Sequence, residues 1–156
     1  MANICKGTLR IKGAPENIKK FLFNELQLPS DMNENGKIIK QDTPDSLIIT
    51  SNSKMLYLKG SCRLFVSLNE YIETYALYIS KNKKIVCLEI CAAWSINSRN
   101  LLVYAIKYNL DMKIYAFEKG GRFNQDIEII NGKLTKDRII KYDEYDWDCI
   151  CPTIGG

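Results

Sequence analysis

The chemistry open to this chain is limited first by a missing residue type: none of its 156 residues is histidine. The commonest general base near neutral pH and the commonest metal ligand are therefore both absent, and Ser-His and Cys-His catalysis are excluded. A carboxylate or lysine with a displaced pKa could still act as acid or base, but no paired-carboxylate motif stands out from the ordinary surface charge. Sulfur is the next resource. Cys87 and Cys91 share one face of a regular strand and Cys149-x-Cys151 lies near the end, so a four-thiolate zinc site can be drawn. Structural zinc sites, however, take thiolates two to four residues apart on tight turns, whereas Cys87 and Cys91 would lie about 13 Å apart along a strand. The cysteines are expected to be mostly reduced thiols acting as small buried hydrophobes, with no metal and no cofactor. Gly120-Gly121 lacks the lysine and Ser/Thr of a phosphate-binding loop and reads as a plain turn, with Phe123 anchoring it in the core and Glu118 bonding its amides.

Two surface patterns could bind a partner instead. Residues 5–12 alternate in period two, which places Lys6, Thr8, Arg10 and Lys12 on one face of a strand, a basic stripe able to meet phosphates. The stripe carries no aromatic of its own, so a merely solvated strand face competes with that reading. The tail interleaves Tyr142, Tyr145 and Trp147 with Asp143, Glu144, Asp146 and Asp148. Strand-like alternation would put Tyr145 and Trp147 on one face with Asp143, and Asp146 and Asp148 on the other, so that aromatics anchor a basic partner while acids steer it. The competing reading packs Tyr145 and Trp147 on the protein's own core.

The net charge of +4 conceals this asymmetry. All four tail carboxylates follow the last basic residue, Lys141, so residues 1–142 carry a clear surplus of cations and attraction to a polyanion is possible. The length is that of one ordinary domain with a single core. No apolar run approaches the roughly 18 residues of a membrane span, and MANICKGTLR lacks the apolar run of a secretory signal, so the chain is expected in the cytoplasm and away from membranes.

The elements that must position these residues follow from hydrophobic period. Cys5, Gly7, Leu9 and Ile11 form the buried face of a first strand, and Gly13 ends it. Pro15 suits a first helical position, and Ile18, Phe21, Leu22, Glu25 and Leu26 recur at helical spacing up to Pro29, with Glu25 the one break in an apolar stripe. Residues 30–45 are turn-rich. Leu47–Thr50 and Met55–Lys59 read as strands joined by a hairpin through Ser51–Lys54. Residues 64–80 read as a strand end followed by a helix carrying Ile72, Ala76 and Ile79. Ile85–Trp94, apolar apart from Glu89, reads as a central strand covered on both faces. A second helix capped by Asn97 or Ser98 buries Leu101, Leu102, Ala105, Ile106 and Tyr108 and stops at Asn109. Strands follow over Met112–Phe117 and Ile127–Ile130, and Asn131-Gly132 turns the chain into an antiparallel return.

The opening MANICKGTLRIKG with PENIKKFL resembles the start of the YubB ferredoxin-like family of phage and plasmid proteins. The apolar strand ending at Trp94, the helix containing Ala105 and the segment Tyr115 to Phe123, with its Glu118-x-Gly120-x-x-Phe123 turn, resemble that family's second half; Trp94, Glu118, Gly120, Gly121 and Phe123 are the positions concerned. The likeness covers residues 1–28 and 84–142. It implies an α+β ferredoxin-like two-layer sandwich of one domain over residues 1–156, with an inserted segment at about 60–83 and a C-terminal hairpin and tail over 124–156, and an origin on a mobile element. It brings no catalytic residue.

Two functions are expected to compete. The first is a non-enzymatic phage or mobile-element accessory protein that binds a host protein through Asp143–Asp148, such as a nuclease or other defence effector, as an inhibitor of CRISPR would. The second is a single-stranded nucleic-acid or nucleotide binder using Lys6, Arg10 and Lys12, because ferredoxin-like sheets of RNA-binding modules present an open face to single strands.

Overall fold

The structure is a computed structural model and describes residues 3–30, 36–43, 47–61, 63–68, 71–74 and 84–156. It is an α+β protein built on an eight-stranded sheet. The central strand β1 (Ile4–Gly13) pairs along its whole length with β8 (Lys84–Ala93) on one side and, from Lys6 to Lys12, with β9 (Asp111–Glu118) on the other. Beyond β9 lie β10 (Phe123–Ile130) and the edge strand β11 (Lys133–Lys141); beyond β8 lie β6 (Leu64–Ser67), β5 (Met55–Leu58) and the short β2 (Leu26–Gln27). Every neighbouring pair is antiparallel.

Two helices cover one face of this sheet. α1 (Pro15–Glu25) follows β1 with Pro15 in its first turn, where no amide partner is lost, and buries Ile18, Phe21, Leu22 and Glu25. α2 (Ser98–Tyr108) follows β8. The Asn97 side chain accepts hydrogen bonds from the amides of Arg99 and Asn100, and Asn109 closes the helix in the left-handed region at φ 51°. The helices meet where the Phe21 ring packs edge-on against Tyr104 and Tyr108, each at 5.6 Å between centroids. Beneath them Leu9, Ile11, Ile90, Ala116 and Ile127 of the sheet are shut off from water. Ile106, expected in the buried stripe of α2, is 60% exposed: the helix turns its Leu101, Tyr104, Ala105 and Tyr108 line inward and leaves Ile106 with Val103 on the solvent side.

A second sheet of three strands, β3 (Ile38–Asp42), β4 (Leu47–Ser51) and β7 (Tyr71–Thr74), adds Leu47 and Ile49 to the same core. The Lys40 ammonium donates to the carbonyls of Phe23 and Leu26 at the end of α1, where the helix dipole favours a cation. Lys19 of α1 reaches Asp42 at 2.7 Å.

The middle of the chain departs from its reading in two respects. Strands at Leu47 and Met55 exist, but no hairpin joins them: β4 pairs with β3 and β7, while β5 pairs with β6 and β2, so the turn through Ser53 carries the chain from one sheet to the other. Residues 71–74 are a strand rather than part of a helix, because β4 offers them an open edge to pair with; Ala76 and Ile79 lie outside the described residues. The first part of the expected insertion, β6, is an integral strand of the main sheet.

β8 is central, as its composition suggested, but only one of its faces is covered. Val86, Leu88, Ile90 and Ala92 are buried beneath the helices, whereas Ile85, Cys87 and Glu89 are exposed. Among the described residues no helix is long and apolar enough to cross a membrane.

Candidate functional site

The uncovered face of the main sheet gathers the polar half of each strand. Because adjacent strands lie about 4.8 Å apart and side chains alternate, paired residues stand in rows across the sheet. One row runs Tyr57, Phe65, Cys91, Lys6, Phe117 and Asn124, of which Asn124 is buried beneath the C-terminal segment. The next places Glu89, Thr8, Tyr115 and Asp126 side by side, and a third Cys87, Arg10, Lys113 and Glu128. The stripe of β1 thus has aromatics beside it on β9, and further aromatics on β6 and β5 beyond β8. Phe117 and Tyr115 form an edge-on pair at 5.3 Å on one side, and Tyr57 and Phe65 a tilted pair at 5.6 Å on the other. Their own segments show them on the polar phase of an alternating strand; that they share rows with the β1 stripe is a matter of strand order, which the segments do not carry.

Charge divides this face in two. On the β9–β11 side cations and anions neutralise one another: Lys113 with Glu128 at 2.5 Å, and Asp126 with Lys136 at 3.2 Å and Arg138 at 3.4 Å. Asp111, opposite Lys12, accepts the Asn131 amide instead, at 2.8 Å. Lys6, Arg10 and Lys12 are exposed and form no ion pair among the described residues. A small cavity of about 200 Å³ lies between Lys6, Thr8, Glu89, Phe117 and Ile154 of the C-terminal segment.

The frame holding this face is rigid at two places that the sequence singled out. Glu118, 1% exposed, accepts the amides of Gly120 at 3.0 Å and Gly121 at 2.5 Å, which closes the turn between β9 and β10. A Cβ at Gly121 would lie 2.4 Å from the Glu118 carboxylate, so any side chain there would push that carboxylate off the turn amides. Phe123 packs beside it but is only half-buried. Trp94 ends β8 in the left-handed region at φ 70° and is 57% exposed. Its amide donates to the Asn3 carbonyl at 2.8 Å.

The acidic tail folds differently from its alternating pattern. α3 (Tyr145–Asp148) is a single helical turn, with the amides of Trp147 and Asp148 donating to the Glu144 carbonyl. Residues two apart on such a turn point in different directions, so Tyr145 is buried at 4% while Trp147 stands out at 85%. Tyr145 is therefore withdrawn from the partner-facing set; Asp143, Glu144, Asp146, Trp147 and Asp148 are exposed. Asp146 is paired with Lys119 at 2.7 Å.

Tyr145 belongs to a polar cluster centred on Asn124, a residue with no exposure. Its hydroxyl donates to Asn124 Oδ1 at 3.0 Å, and the two N–H groups of Asn124 Nδ2 have the hydroxyls of Tyr142 at 3.1 Å and Tyr115 at 3.3 Å and Cys149 Sγ at 3.5 Å within reach as acceptors. Burial pushes the Tyr142 and Tyr145 hydroxyls up. Burial would raise the Cys149 thiol as well, but hydrogen bonds from Tyr145, Asn124 and the Cys151 backbone hold it below its ordinary value. The cluster seats the C-terminal segment on β9 and β10. Cys5, Cys87, Cys91, Cys149 and Cys151 are free thiols; Cys5 and Cys149 are buried as expected, whereas Cys87 is exposed and Cys91 half-exposed because they lie on the uncovered face.

Comparison with protein-family models, with curated proteins and with solved structures finds no match to this chain.

Proposed function

We propose that the chain is a ferredoxin-like module that binds single-stranded nucleic acid on its uncovered sheet face. The observation that carries this reading is the row structure of that face: three exposed cations on β1, without ion pairs among the described residues, with the Tyr115–Phe117 pair on adjacent β9 and the Tyr57–Phe65 pair on β5 and β6, beyond β8. Cations meet phosphates and aromatic faces take unstacked bases, a combination that tolerates any sequence. The strand order β9-β1-β8-β6, with a helix after β1 and another after β8, supports the ferredoxin-like reading. Titration of a labelled oligodeoxythymidine or oligouridine at several salt concentrations tests it. Binding should weaken steeply with salt, and joint replacement of Lys6, Arg10 and Lys12 by alanine should lower the slope of log K against log salt by about 2, since each phosphate contact on a single strand contributes about 0.7. An unchanged slope in that variant refutes the assignment.

A second reading rests on Trp147, which stands fully out between two carboxylates at one corner of the fold. Tryptophan is one of the residue types enriched among the anchors of protein interfaces. It supports a phage or mobile-element accessory protein that acts without catalysis by docking on a basic surface of a host protein, such as a nuclease of a CRISPR defence. A tagged protein that retains a host nuclease, and loses it on Trp147→Ala, would favour this reading over the first.

A further inference from the structure

At the β5–β6 end of the sheet, beyond β8 from the basic stripe, lies a groove of about 690 Å³. Its aromatic lining is the Tyr57–Phe65 pair, its cations are Lys54 and Arg63, and Leu28 and Pro29, which follow β2, add apolar surface. No carboxylate lines it among the described residues, and neither cation has an ion-pair partner there.

The groove is also held in shape. The Tyr57 hydroxyl donates to the Ser61 carbonyl at 2.5 Å, and Ser61 Oγ donates to the Leu58 carbonyl at 2.5 Å, so the turn after β5 is bonded to the ring that lines the groove. Arg63 sits on that turn in the left-handed region, at φ 55°, with its amide on the Ser61 carbonyl at 3.2 Å. A side chain other than glycine, held in this region beside an open groove, is backbone strain placed where it aims a guanidinium.

We propose that this groove binds a nucleoside phosphate, its base against Tyr57 and Phe65 and its phosphate on Arg63 and Lys54. The volume falls in the range of small-molecule sites. Inorganic phosphate would leave the rings unused, and an uncharged flat ligand would leave two cations unused. Arginine is suited to hold a phosphate by two parallel hydrogen bonds. The ligand is a free nucleotide or the terminal nucleotide of a strand; the chemistry recognised is the same. The groove shares the Tyr57–Phe65 pair with the open-face reading but takes its phosphate on Lys54 and Arg63 rather than on the β1 stripe.

Isothermal titration with adenosine 5'-monophosphate, adenosine and inorganic phosphate tests the proposal. The monophosphate should bind saturably, and the other two at least roughly tenfold more weakly, because each lacks the stacking or the charge-assisted contact. Arg63→Gly should lose roughly tenfold in affinity while its melting temperature rises, since glycine relieves the left-handed residue; a merely structural Arg63 would move stability alone. Phe65→Leu should weaken the monophosphate and leave inorganic phosphate unchanged. A 5'-phosphorylated oligonucleotide that outbinds its unphosphorylated twin identifies a strand end as the source, and equal binding of the two identifies a free nucleotide. Absence of saturable monophosphate binding, or wild-type affinity in Arg63→Gly, overturns the proposal. Salt-dependent oligonucleotide binding that persists in that case leaves the β1 stripe standing.

Discussion

Tyr108 donates its hydroxyl proton to Glu25 Oε1 at 2.5 Å, and the Lys107 ammonium reaches the same oxygen at 2.7 Å. Glu25 is the residue that interrupts the apolar stripe of α1, and it is 4% exposed. The interruption is thus the joint between the two helices: a carboxylate that α2 supplies with two donors.

Removing that carboxylate leaves the Tyr108 hydroxyl buried without an acceptor. Glu25→Ala should cost about 2 kcal/mol in denaturant unfolding, the penalty of one orphaned buried donor together with a lost charged hydrogen bond. The pH dependence has a definite sign. Burial would raise the Glu25 pKa, but hydrogen bonds from Lys107 and Tyr108 hold it below the ordinary 4.5. A depressed folded value contributes stability that is complete above 4.5 and lost as pH falls through the folded value. Acid titration of stability should therefore be shallower in Glu25→Ala below pH 4.5, and equal slopes would contradict this account.

Such joints explain what was and was not legible in the sequence. β1, α1, α2 and the Asn131-Gly132 hairpin declare themselves through period, caps and turn residues, all local signals. The Glu118 turn was legible for the same reason, since its donors are two and three residues away. The partition of β4 and β5 into different sheets, the placing of Tyr115 and Phe117 beside β1 and that of Phe65 beside β8 are pairings between distant segments, and a strand does not encode its neighbour in its own pattern. The tail misled for a related reason. Alternating aromatic and acidic residues suit a strand, but Asn124 captures the Tyr145 hydroxyl and the chain coils to let it in.

Gln125 makes a second distant joint. Its Oε1 accepts the Ile96 amide at 2.7 Å and its Nε2 donates to the Ile96 carbonyl at 3.2 Å, so one side chain pairs the loop before α2 as a strand would. Gln125→Leu fills similar volume but orphans both backbone groups. It should cost about 2 kcal/mol or more and raise amide exchange at Ile96 well before global unfolding. Retained protection at Ile96 would show that the loop holds without the clamp.

The tail offers a comparison of its two aromatics. Tyr145→Phe removes a buried hydrogen bond to Asn124 and strips that amide of a donor, at about 1–2 kcal/mol. Trp147→Ala should change stability by less than about 0.5 kcal/mol, as an exposed substitution does. Comparable losses in thermal unfolding would mean that Trp147 is packed rather than presented.

Thiol labelling should separate the two faces of the sheet. Cys87 lies exposed on the uncovered face and should react first. Cys5 lies under the helices, and burial, with Glu118 nearby, pushes its thiol up to about 12, so both access and thiolate are withheld. Mass mapping after brief alkylation at pH 8 should find Cys87 modified and Cys5 intact until denaturant is added; simultaneous modification would argue against the burial of β1's inner face.

Glu89 decides between the two functional readings on a single side chain. It stands exposed opposite Thr8, between the levels of Lys6 and Arg10, and forms no ion pair among the described residues. If the face meets a polynucleotide, this carboxylate repels the phosphates that its neighbours attract, and Glu89→Gln should tighten oligonucleotide binding severalfold at low salt, with the gain shrinking as salt screens it. If the protein instead docks on a basic host surface through Asp143, Glu144, Asp146, Trp147 and Asp148, Glu89 is not part of that exposed set and the change should leave capture of the host protein unaltered. Parallel measurement of oligonucleotide affinity and host-protein capture in Glu89→Gln therefore separates the readings, and an oligonucleotide affinity that falls or stays constant removes the open face from consideration as a polyanion site.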